Sequence, residues 1–299
     1  MKGLGIYVFS GTGNTLKCAK ALLDELESLG LSAALHEIGD GSEEAAEEED
    51  LVLCYPVYGF NVPLPMLRFC RNLAEGSGRV WFLKTSGEPL RLNDNSSACL
   101  SRILCKKGRI VTGEFHYIMP YNIVFRHSDE AASLMWKTAK ERIPAAAAAV
   151  AAELNPKSAG AEAETSAGTG TKTAAVPAVK KRAPVSSVIM SHICAIEHGF
   201  YPLNGRLYRV DADRCLNCMR CVKQCPTGNI TYSEGKFRFG KNCAGCMRCA
   251  FNCPSDAIRI GILDFMRVNG PYDFGRDPEE ASFGKYCRKA YKRYFEEQL

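Results

Sequence analysis

Residues 215–226 of this chain read CLNCMRCVKQCP, and residues 243–254 read CAGCMRCAFNCP. Each stretch holds four cysteines, spaced three, three and four residues apart, and a proline follows the last of them. The second stretch repeats the first at an offset of 28 residues (215 to 243), and Ile230 and Ile258 keep that offset outside it. Because the repeat keeps packing residues as well as cysteines, it predicts one pseudo-symmetric module.

The cysteine spacing also predicts what the module binds. Three cysteines at three-residue steps wrap one face of a cubane iron–sulfur cluster, so the fourth ligand must come from elsewhere in the chain. Zinc sites usually pair two short Cys–Cys units across a longer gap, and disulfides belong to secreted chains. The first residues, with one lysine and no small-residue cleavage site, are interpreted as a buried strand rather than a secretory signal. We therefore expect a reducing cytoplasm and two 4Fe–4S clusters with eight cysteine ligands: Cys215, Cys218, Cys221, Cys225, Cys243, Cys246, Cys249 and Cys253.

The first half of the chain alternates between predicted strands and helices. Apolar runs at 4–9, 32–38, 51–55, 80–83 and 109–118 have the composition of strands. Apolar residues at helical spacing follow the first run, and further helices are predicted near 64–74, 96–106 and 129–152. Such alternation predicts a doubly wound α/β fold, with a parallel sheet covered by helices on both faces.

A polar loop joins the first predicted strand to the first helix. It consists of Ser10, Gly11, Thr12, Gly13, Asn14 and Thr15. Backbone N–H groups at a helix start, surrounded by hydroxyl and amide side chains, form a phosphate cradle without a positive charge. A dinucleotide fingerprint would need glycine in place of Leu16, and a Walker loop would need Gly-Lys-Ser/Thr. The loop therefore predicts a different type of phosphate site.

These motifs resemble two known families. The loop at 10–15 resembles the FMN-phosphate loop of flavodoxins, and residues 206–262 resemble bacterial-type ferredoxins. The whole chain resembles the flavodoxin–ferredoxin fusion proteins, which are found mainly in anaerobes and are regarded as electron carriers. The resemblance implies a five-stranded parallel sheet of order 2-1-3-4-5, FMN beside strands one and three, and a small α+β dicluster domain.

The resemblance also implies roles for individual residues. Pro56 and Tyr58 follow the third strand, where flavodoxins place a loop against the flavin ring, and Tyr58 would stack on that ring. Thr85, Ser86 and Gly87 follow the fourth strand, at the second flavin loop. In bacterial dicluster ferredoxins the fourth cysteine of each run serves the other cluster, which here would be Cys225 and Cys253.

The predicted domain organisation follows from composition. Residues 1–153 form the flavodoxin-like domain, and residues 154–187, rich in Ala, Gly, Ser, Lys and Pro, form a flexible linker. Residues 188–263 form the dicluster domain, with a hairpin turning near Glu234 and Gly235. The tail at 264–299 is interpreted as a packed helix over the dicluster domain or as a docking surface.

The rest of the sequence predicts little chemistry. Seven further cysteines and five histidines show no ligand spacing, and no carboxylate pair or Ser/His/Asp set predicts a catalytic residue. No apolar run reaches the roughly 18 residues of a membrane span. Residues 1–150 carry 16 Lys and Arg against 18 Asp and Glu, and the remainder carries 22 against 15. Because these cations form no continuous stripe, nucleic-acid binding is not expected.

Three hypotheses for function follow. The first is an electron-transfer protein that connects FMN, two 4Fe–4S clusters and redox partner proteins. The second is an iron–sulfur flavoprotein enzyme that reduces a small substrate with electrons from the clusters. The third is a ferredoxin whose N-terminal domain has lost FMN and serves as a docking module. The sequence leaves the potentials, the direction of electron flow and the oligomeric state open.

Overall fold

The computed structural model describes residues 3–40, 48–155, 183–285 and 288–296, and its first half is built on one parallel sheet. The five strands lie in the order β2-β1-β3-β4-β5, and each neighbouring pair runs parallel. The prediction of a five-stranded parallel sheet in the order 2-1-3-4-5 is confirmed. The strands are β1 (Leu4–Val8), β2 (Ala33–Glu37), β3 (Asp50–Pro56), β4 (Arg79–Ser86) and β5 (Ile110–Ile118).

Burial explains why the apolar runs form this sheet. All five residues of β1 are buried, and so are residues 51–55 of β3 and residues 80–86 of β4. Such strands need helices on both faces of the sheet. Helices α1 (Asn14–Ser28) and α4 (Asp129–Leu154) pack on one face, and α2 (Leu64–Asn72) and α3 (Ala98–Lys106) pack on the other.

Two helices precede the cysteine repeat. They are α5 (Val185–Cys194) and α6 (Glu197–Gly205), and the sequence analysis did not predict them. The predicted linker at 154–187 overlaps the last residue of α4 and the first turn of α5. Most of that linker, residues 156–182, lies outside the described residues, so its flexibility stays a prediction.

The cysteine repeat forms a smaller α+β unit. Strand β6 (Arg209–Val210) pairs antiparallel with β9 (Ile258–Arg259). Strands β7 (Ile230–Ser233) and β8 (Lys236–Phe239) pair as a hairpin that turns at Glu234 and Gly235. The short helices α7 (Arg220–Lys223) and α8 (Arg248–Phe251) occupy equivalent positions in the two copies of the repeat.

The last helix of the tail packs against the flavodoxin-like half. This helix, α9 (Arg288–Glu296), buries Tyr291 and Phe295 in one cluster with Ile118 and Met135. The hypothesis that the tail helix covers the dicluster unit is therefore wrong. An earlier part of the tail does bridge the two halves, because Val268 and Tyr272 share a buried cluster with Phe251 of α8 and Ala132 of α4.

Candidate functional site

The two cysteine loops have the same backbone conformation. Three positions with positive φ recur at the 28-residue offset. They are Asn217 and Gly245 (49° and 66°), Met219 and Met247 (58° and 60°), and Gly228 and Asp256 (58° and 51°). Left-handed conformations are costly for most residues, so their repetition at non-glycine positions indicates that both loops are shaped for the same purpose.

The last cysteine of each run is held by equivalent hydrogen bonds. The backbone N–H of Asn229 donates to Sγ of Cys225 at 3.2 Å, and that of Ala257 donates to Sγ of Cys253 at 3.2 Å. Amide donors to cluster sulfurs are among the groups that set a cluster's reduction potential. The structure therefore provides matching amide donors at these two cysteines.

The cysteine side chains gather into two groups. A pocket in the first group is lined by Cys215, Cys218, Cys221 and Cys253, and also by Cys249 of the second loop. Burial raises the pKa of Cys221 to about 11, and the neighbouring thiols of Cys215, Cys253 and Cys218 add to that rise. The sulfur of Cys253 thus faces the first cysteine loop although it belongs to the second run.

The second group has the reciprocal arrangement. Burial raises the pKa of Cys246 to about 12, and the thiols of Cys243 and Cys225 contribute to the rise. Desolvation raises the pKa of Cys249 well above its ordinary value, and the thiols of Cys246, Cys243 and Cys225 add to that rise. Such thiols bind iron as thiolates, so cluster binding must displace their protons.

The spacing of these groups does not suit a single metal ion. Within the described ranges, no set of three or more His, Cys, Asp or Glu side chains is placed to hold one ion. A cubane cluster occupies the space between its ligands, so its cysteines stand farther apart than the ligands of one zinc ion.

A cavity of about 350 Å³ opens beyond the carboxyl ends of the sheet strands. Ligand cavities typically have volumes of about 300–1,000 Å³, and ligands of doubly wound folds bind at this edge. The predicted flavin-loop residues other than Gly13 line it: Ser10, Gly11, Thr12, Asn14, Thr15, Pro56, Tyr58, Thr85, Ser86 and Gly87. Gly13 is instead exposed at the N-cap of α1, with φ of 100°.

The polar loop leaves the start of α1 open toward this cavity. No side chain caps the helix. The Oγ of Ser10 accepts a hydrogen bond from the N–H of Gly13 at 3.2 Å, and Asn14 donates to the carbonyl of Pro120 at 2.8 Å. The hydroxyls of Thr15 and Thr85 are hydrogen-bonded at 2.8 Å, which links the polar loop to the loop that follows β4. An uncapped helix start with ordered hydroxyls suits a phosphate group.

The structure brings the second cysteine loop to the wall of this cavity. Gly245 lines it, and Ala244 and Cys246 are buried in the hydrophobic cluster that contains Val62 and Met66. The carbonyl of Cys246 accepts a hydrogen bond from Asn122 at 3.4 Å. The two halves therefore meet directly at the cavity.

Arg248 connects the same cysteine loop to the polar loop. Its Nε donates to the carbonyl oxygen of Gly11 at 2.8 Å, and a terminal guanidinium nitrogen donates to the carbonyl of Ser10. A guanidinium presents several donors in a rigid plane, so it fixes the separation and orientation of both loops.

Several cavity residues were missed by the sequence analysis. Glu88 is 8% exposed and accepts a hydrogen bond from the hydroxyl of Tyr121. Burial raises the pKa of Glu88 above its ordinary value, and the hydrogen bonds from Tyr121 and Asn93 oppose that rise. Glu88 directly follows the predicted loop at 85–87, so its position was a usable signal. No sequence signal marked residues such as Phe200 and Tyr201. They line the cavity because helix α6 packs beside it.

The cysteines outside the repeat are unremarkable where they are described. Cys18 and Cys54 are fully buried, and burial raises the pKa of Cys18 to about 12. Such thiols behave as small apolar side chains. Among the described helices, none has both the length and the apolar character to cross a membrane.

Comparison with known proteins agrees with this division. Residues 214–258 match the family described as a 4Fe-4S dicluster domain. A search of curated proteins found no match. The Streptococcus pneumonia TIGR4 flavodoxin is similar in structure, with 19% identity and a TM-score of 0.38 over 50% of this chain and 99% of its own. Oxidised Flavodoxin 2 from Bacillus cereus has 15% identity and a TM-score of 0.38 over 51% and 99%.

The fold class rests on the sheet order, because the TM-scores are below 0.5. A doubly wound sheet of order 2-1-3-4-5 is the flavodoxin-like arrangement. Together with the dicluster match, it shows a flavodoxin-like domain fused to a 4Fe–4S ferredoxin-type domain. The chain therefore combines a flavodoxin-like fold in its first half with a 4Fe-4S dicluster domain at residues 214–258.

Proposed function

We propose that the chain carries electrons between FMN in the cavity and two 4Fe–4S clusters held by the cysteine repeat. The observation that carries this proposal is the position of Gly245, which lies between two cysteines of the second loop and also lines the cavity. A cofactor in the cavity would thus have a cysteine loop as its neighbour.

The residues around the cavity fit FMN. The open start of α1 and the hydroxyls of Ser10 and Thr12 would hold the phosphate, and Tyr58 would contact the ring. Among the described lining residues none is Lys or Arg, so backbone N–H groups and the helix dipole must supply the attraction. Bound FMN would supply chemistry in one-electron and two-electron steps.

The cysteine groups support crossed cluster ligation. We assign Cys215, Cys218, Cys221 and Cys253 to cluster one, and Cys243, Cys246, Cys249 and Cys225 to cluster two, since the thiols of each group lie close enough to raise the pKa of a member of that group. The second loop is buried against the cavity and the first is exposed. Cluster two then lies between the flavin and cluster one.

The residues between the cavity and the proposed cluster two exclude solvent. Ala244 is 5% exposed and Cys246 is 9% exposed, so water is largely excluded between the cavity and cluster two. Arg248 places a positive charge beside a polar loop that would hold a phosphate and beside a cluster with four thiolates. Its charge would offset part of the negative charge of both.

A second candidate function is favoured by Glu88. A buried carboxyl with a raised pKa in a cavity wall, hydrogen-bonded to Tyr121, has the character of a proton donor. It favours the reductase hypothesis, in which a small substrate next to the flavin receives electrons from the clusters and a proton from Glu88. Substrate-dependent reoxidation that Glu88→Gln abolishes, with flavin content unchanged, would support this candidate over a plain carrier.

The primary test is the cofactor content of protein purified without oxygen. Two clusters and one flavin require about eight irons, about eight acid-labile sulfides and one FMN per chain. Fewer than about six irons would contradict the two-cluster assignment. Absence of FMN, with no affinity for added FMN, would leave the docking-module hypothesis standing.

A variant pair locates the flavin. Replacement of Thr12 and Asn14 by alanine removes two polar side chains of the cradle and should lower the FMN affinity without loss of iron. The control is Thr231→Ala, an exposed position on the hairpin. Unchanged FMN affinity in the double variant would move the phosphate away from this loop.

A further inference from the structure

We propose that the exposed first cysteine loop, residues 215–221, is the docking surface for an acidic redox protein. This inference rests on the proposed function, because it names the partner that would exchange electrons with cluster one. It comes from comparing the two copies of the repeat, which share a backbone but not their surroundings.

The two loops differ sharply in exposure. Leu216 is 67% exposed, and its counterpart Ala244 is 5% exposed. Cys218 is exposed, and its counterpart Cys246 is buried. The second loop is covered by the flavodoxin-like half, so its neighbours show what this loop geometry is able to bind.

The covered loop binds its neighbour through an arginine. Arg248 donates to two carbonyl oxygens of the polar loop that borders the cavity. Its counterpart at the 28-residue offset is Arg220, at the same place at the start of α7. Arg220 is exposed, and in the part of the chain that the structure describes its side chain makes no hydrogen bond or ion pair. It is therefore free to donate to a partner in the way Arg248 donates within the chain.

A second position indicates the same division of roles. Phe251 is buried in the interface, and its counterpart Lys223 is exposed. Nearby acids do not cancel the two cations, since Asp211 pairs with Arg259 at 3.1 Å and Asp256 pairs with Arg214 at 3.3 Å. Arg220 and Lys223 thus form a basic rim, and neither takes part in an ion pair with a described residue.

An apolar residue lies inside this rim. Leu216 borders the pocket that we assign to cluster one, together with Arg220. Protein interfaces commonly combine an apolar centre with a polar or charged rim, and charge complementarity accelerates encounter. The matching surface is an apolar patch ringed by carboxylates around the partner's own redox group.

The test uses two c-type cytochromes as acceptors, one acidic and one basic. The chain, loaded with FMN and clusters, is reduced and mixed with each cytochrome in a stopped-flow instrument at several salt concentrations. We expect the second-order rate with the acidic cytochrome to fall as salt rises. In Arg220→Glu/Lys223→Glu that rate should fall about tenfold or more, and the rate with the basic cytochrome should rise.

The controls separate this proposal from the proposed function. Lys20→Glu makes a charge reversal on the exposed side of α1, in the other half of the chain, and should change neither rate more than about twofold. Each variant is checked for iron, flavin and electron transfer within the chain. Should Arg220→Glu lose iron, Lys223→Glu alone carries the test, because Lys223 is exposed and follows the loop 215–221.

Two results would overturn the docking proposal. One is equal slowing by the double variant and by Lys20→Glu, with cofactors intact. The other is a dimer of this chain, seen by sedimentation, that the double variant dissociates, because the loop would then bind a second copy. If the chain binds no flavin and the rate with the acidic cytochrome still falls in Arg220→Glu, the docking surface would be supported. The same result would contradict the flavin half of the proposed function.

Discussion

Gly11 lies where the two halves of the chain meet. A Cβ at this position would approach the hydroxyl of Tyr58 and would lie 2.5 Å from the carbonyl oxygen of Cys246. Both groups belong to walls of the cavity or to the cysteine loop beside it, so a side chain here cannot be added without moving one of them. The absence of a side chain at position 11 therefore sets how closely the cysteine loop approaches the cradle.

Gly11→Ala should accordingly separate the second cysteine loop from the polar loop. Because a backbone carbonyl cannot yield as a flexible side chain does, we expect FMN affinity and the rate of flavin-to-cluster transfer to fall about tenfold each. Isothermal titration with FMN and flash photolysis measure the two quantities. Gly199→Ala is the matched control, since a Cβ there meets nothing within 4 Å. Wild-type values for Gly11→Ala would show that this contact does not position the loops.

The crossed ligands make a second prediction at the same scale. On the proposed assignment, Cys253→Ser should remove a ligand from the cluster held by Cys215, Cys218 and Cys221, although residue 253 lies in the second run. Cys225→Ser should damage the other cluster. Iron analysis and EPR of the reduced variants identify which cluster is lost, and Cys105→Ser, an exposed cysteine outside the repeat, is the control. Damage to the cluster of its own run in either variant would refute the crossed assignment.

Among the elements, the strands of the sheet were predictable and helices α5 and α6 were not. Strand β1 and the middle of β3 are buried on both faces, which demands an unbroken apolar run that the sequence displays. Helix α5 has the opposite character, because it buries Ser187 and Ser191 and leaves Ile189 and Ile193 exposed at 55% and 56%. Because its apolar residues do not face the core, the hydrophobic pattern does not predict this helix. The low-complexity sequence before it contains no signal for a helix start.

Helix α5 is held to the flavodoxin-like half by polar contacts. The Oγ of Ser187 accepts a hydrogen bond from the N–H of Asn95 at 2.9 Å and donates to the carbonyl of Leu92 at 2.8 Å. The side-chain amide of Asn95 donates a hydrogen bond to the Oγ of Ser191 at 2.6 Å. A serine that serves as both donor and acceptor in a buried site leaves two backbone groups unsatisfied when it is removed.

Ser187→Ala should therefore detach α5 at a cost of about 1–3 kcal/mol in the free energy of unfolding. The expected signs are faster hydrogen exchange in 185–194 and a lower denaturant midpoint. Ser186→Ala is the matched control, because Ser186 is exposed in the same turn and should change stability by less than about 0.5 kcal/mol. Equal effects of the two variants would show that α5 is not anchored through Ser187.

For the molecule as a whole, the sequence predicted part of the candidate site. The polar loop, the two flavin loops and the eight cysteines are local motifs, and the structure places all of the loop residues except Gly13 around one cavity. The contact between the second cysteine loop and the cavity could not be predicted from the sequence. It depends on pairs such as Arg248 with Gly11 and Asn122 with Cys246, which are separated by more than 100 residues and follow no motif.

The contact between the halves would also give the two proposed clusters different roles. The second cysteine loop is buried beside the cavity, and the first remains open to solvent. An internal repeat alone would treat the clusters as equals. Under the proposed function, its docking against the flavodoxin-like half would place the cofactors in the order flavin, cluster two, cluster one and partner.

The most direct test of the central proposal is flash photoreduction of the flavin in protein loaded with FMN and both clusters. EPR of samples frozen at successive times then follows the clusters. We predict that cluster signals grow as reduced flavin decays, at a rate that does not change when the protein is diluted, because donor and acceptor share one chain. A rate that falls in proportion to dilution, or clusters that stay oxidised while the flavin remains reduced, would contradict electron transfer within the chain.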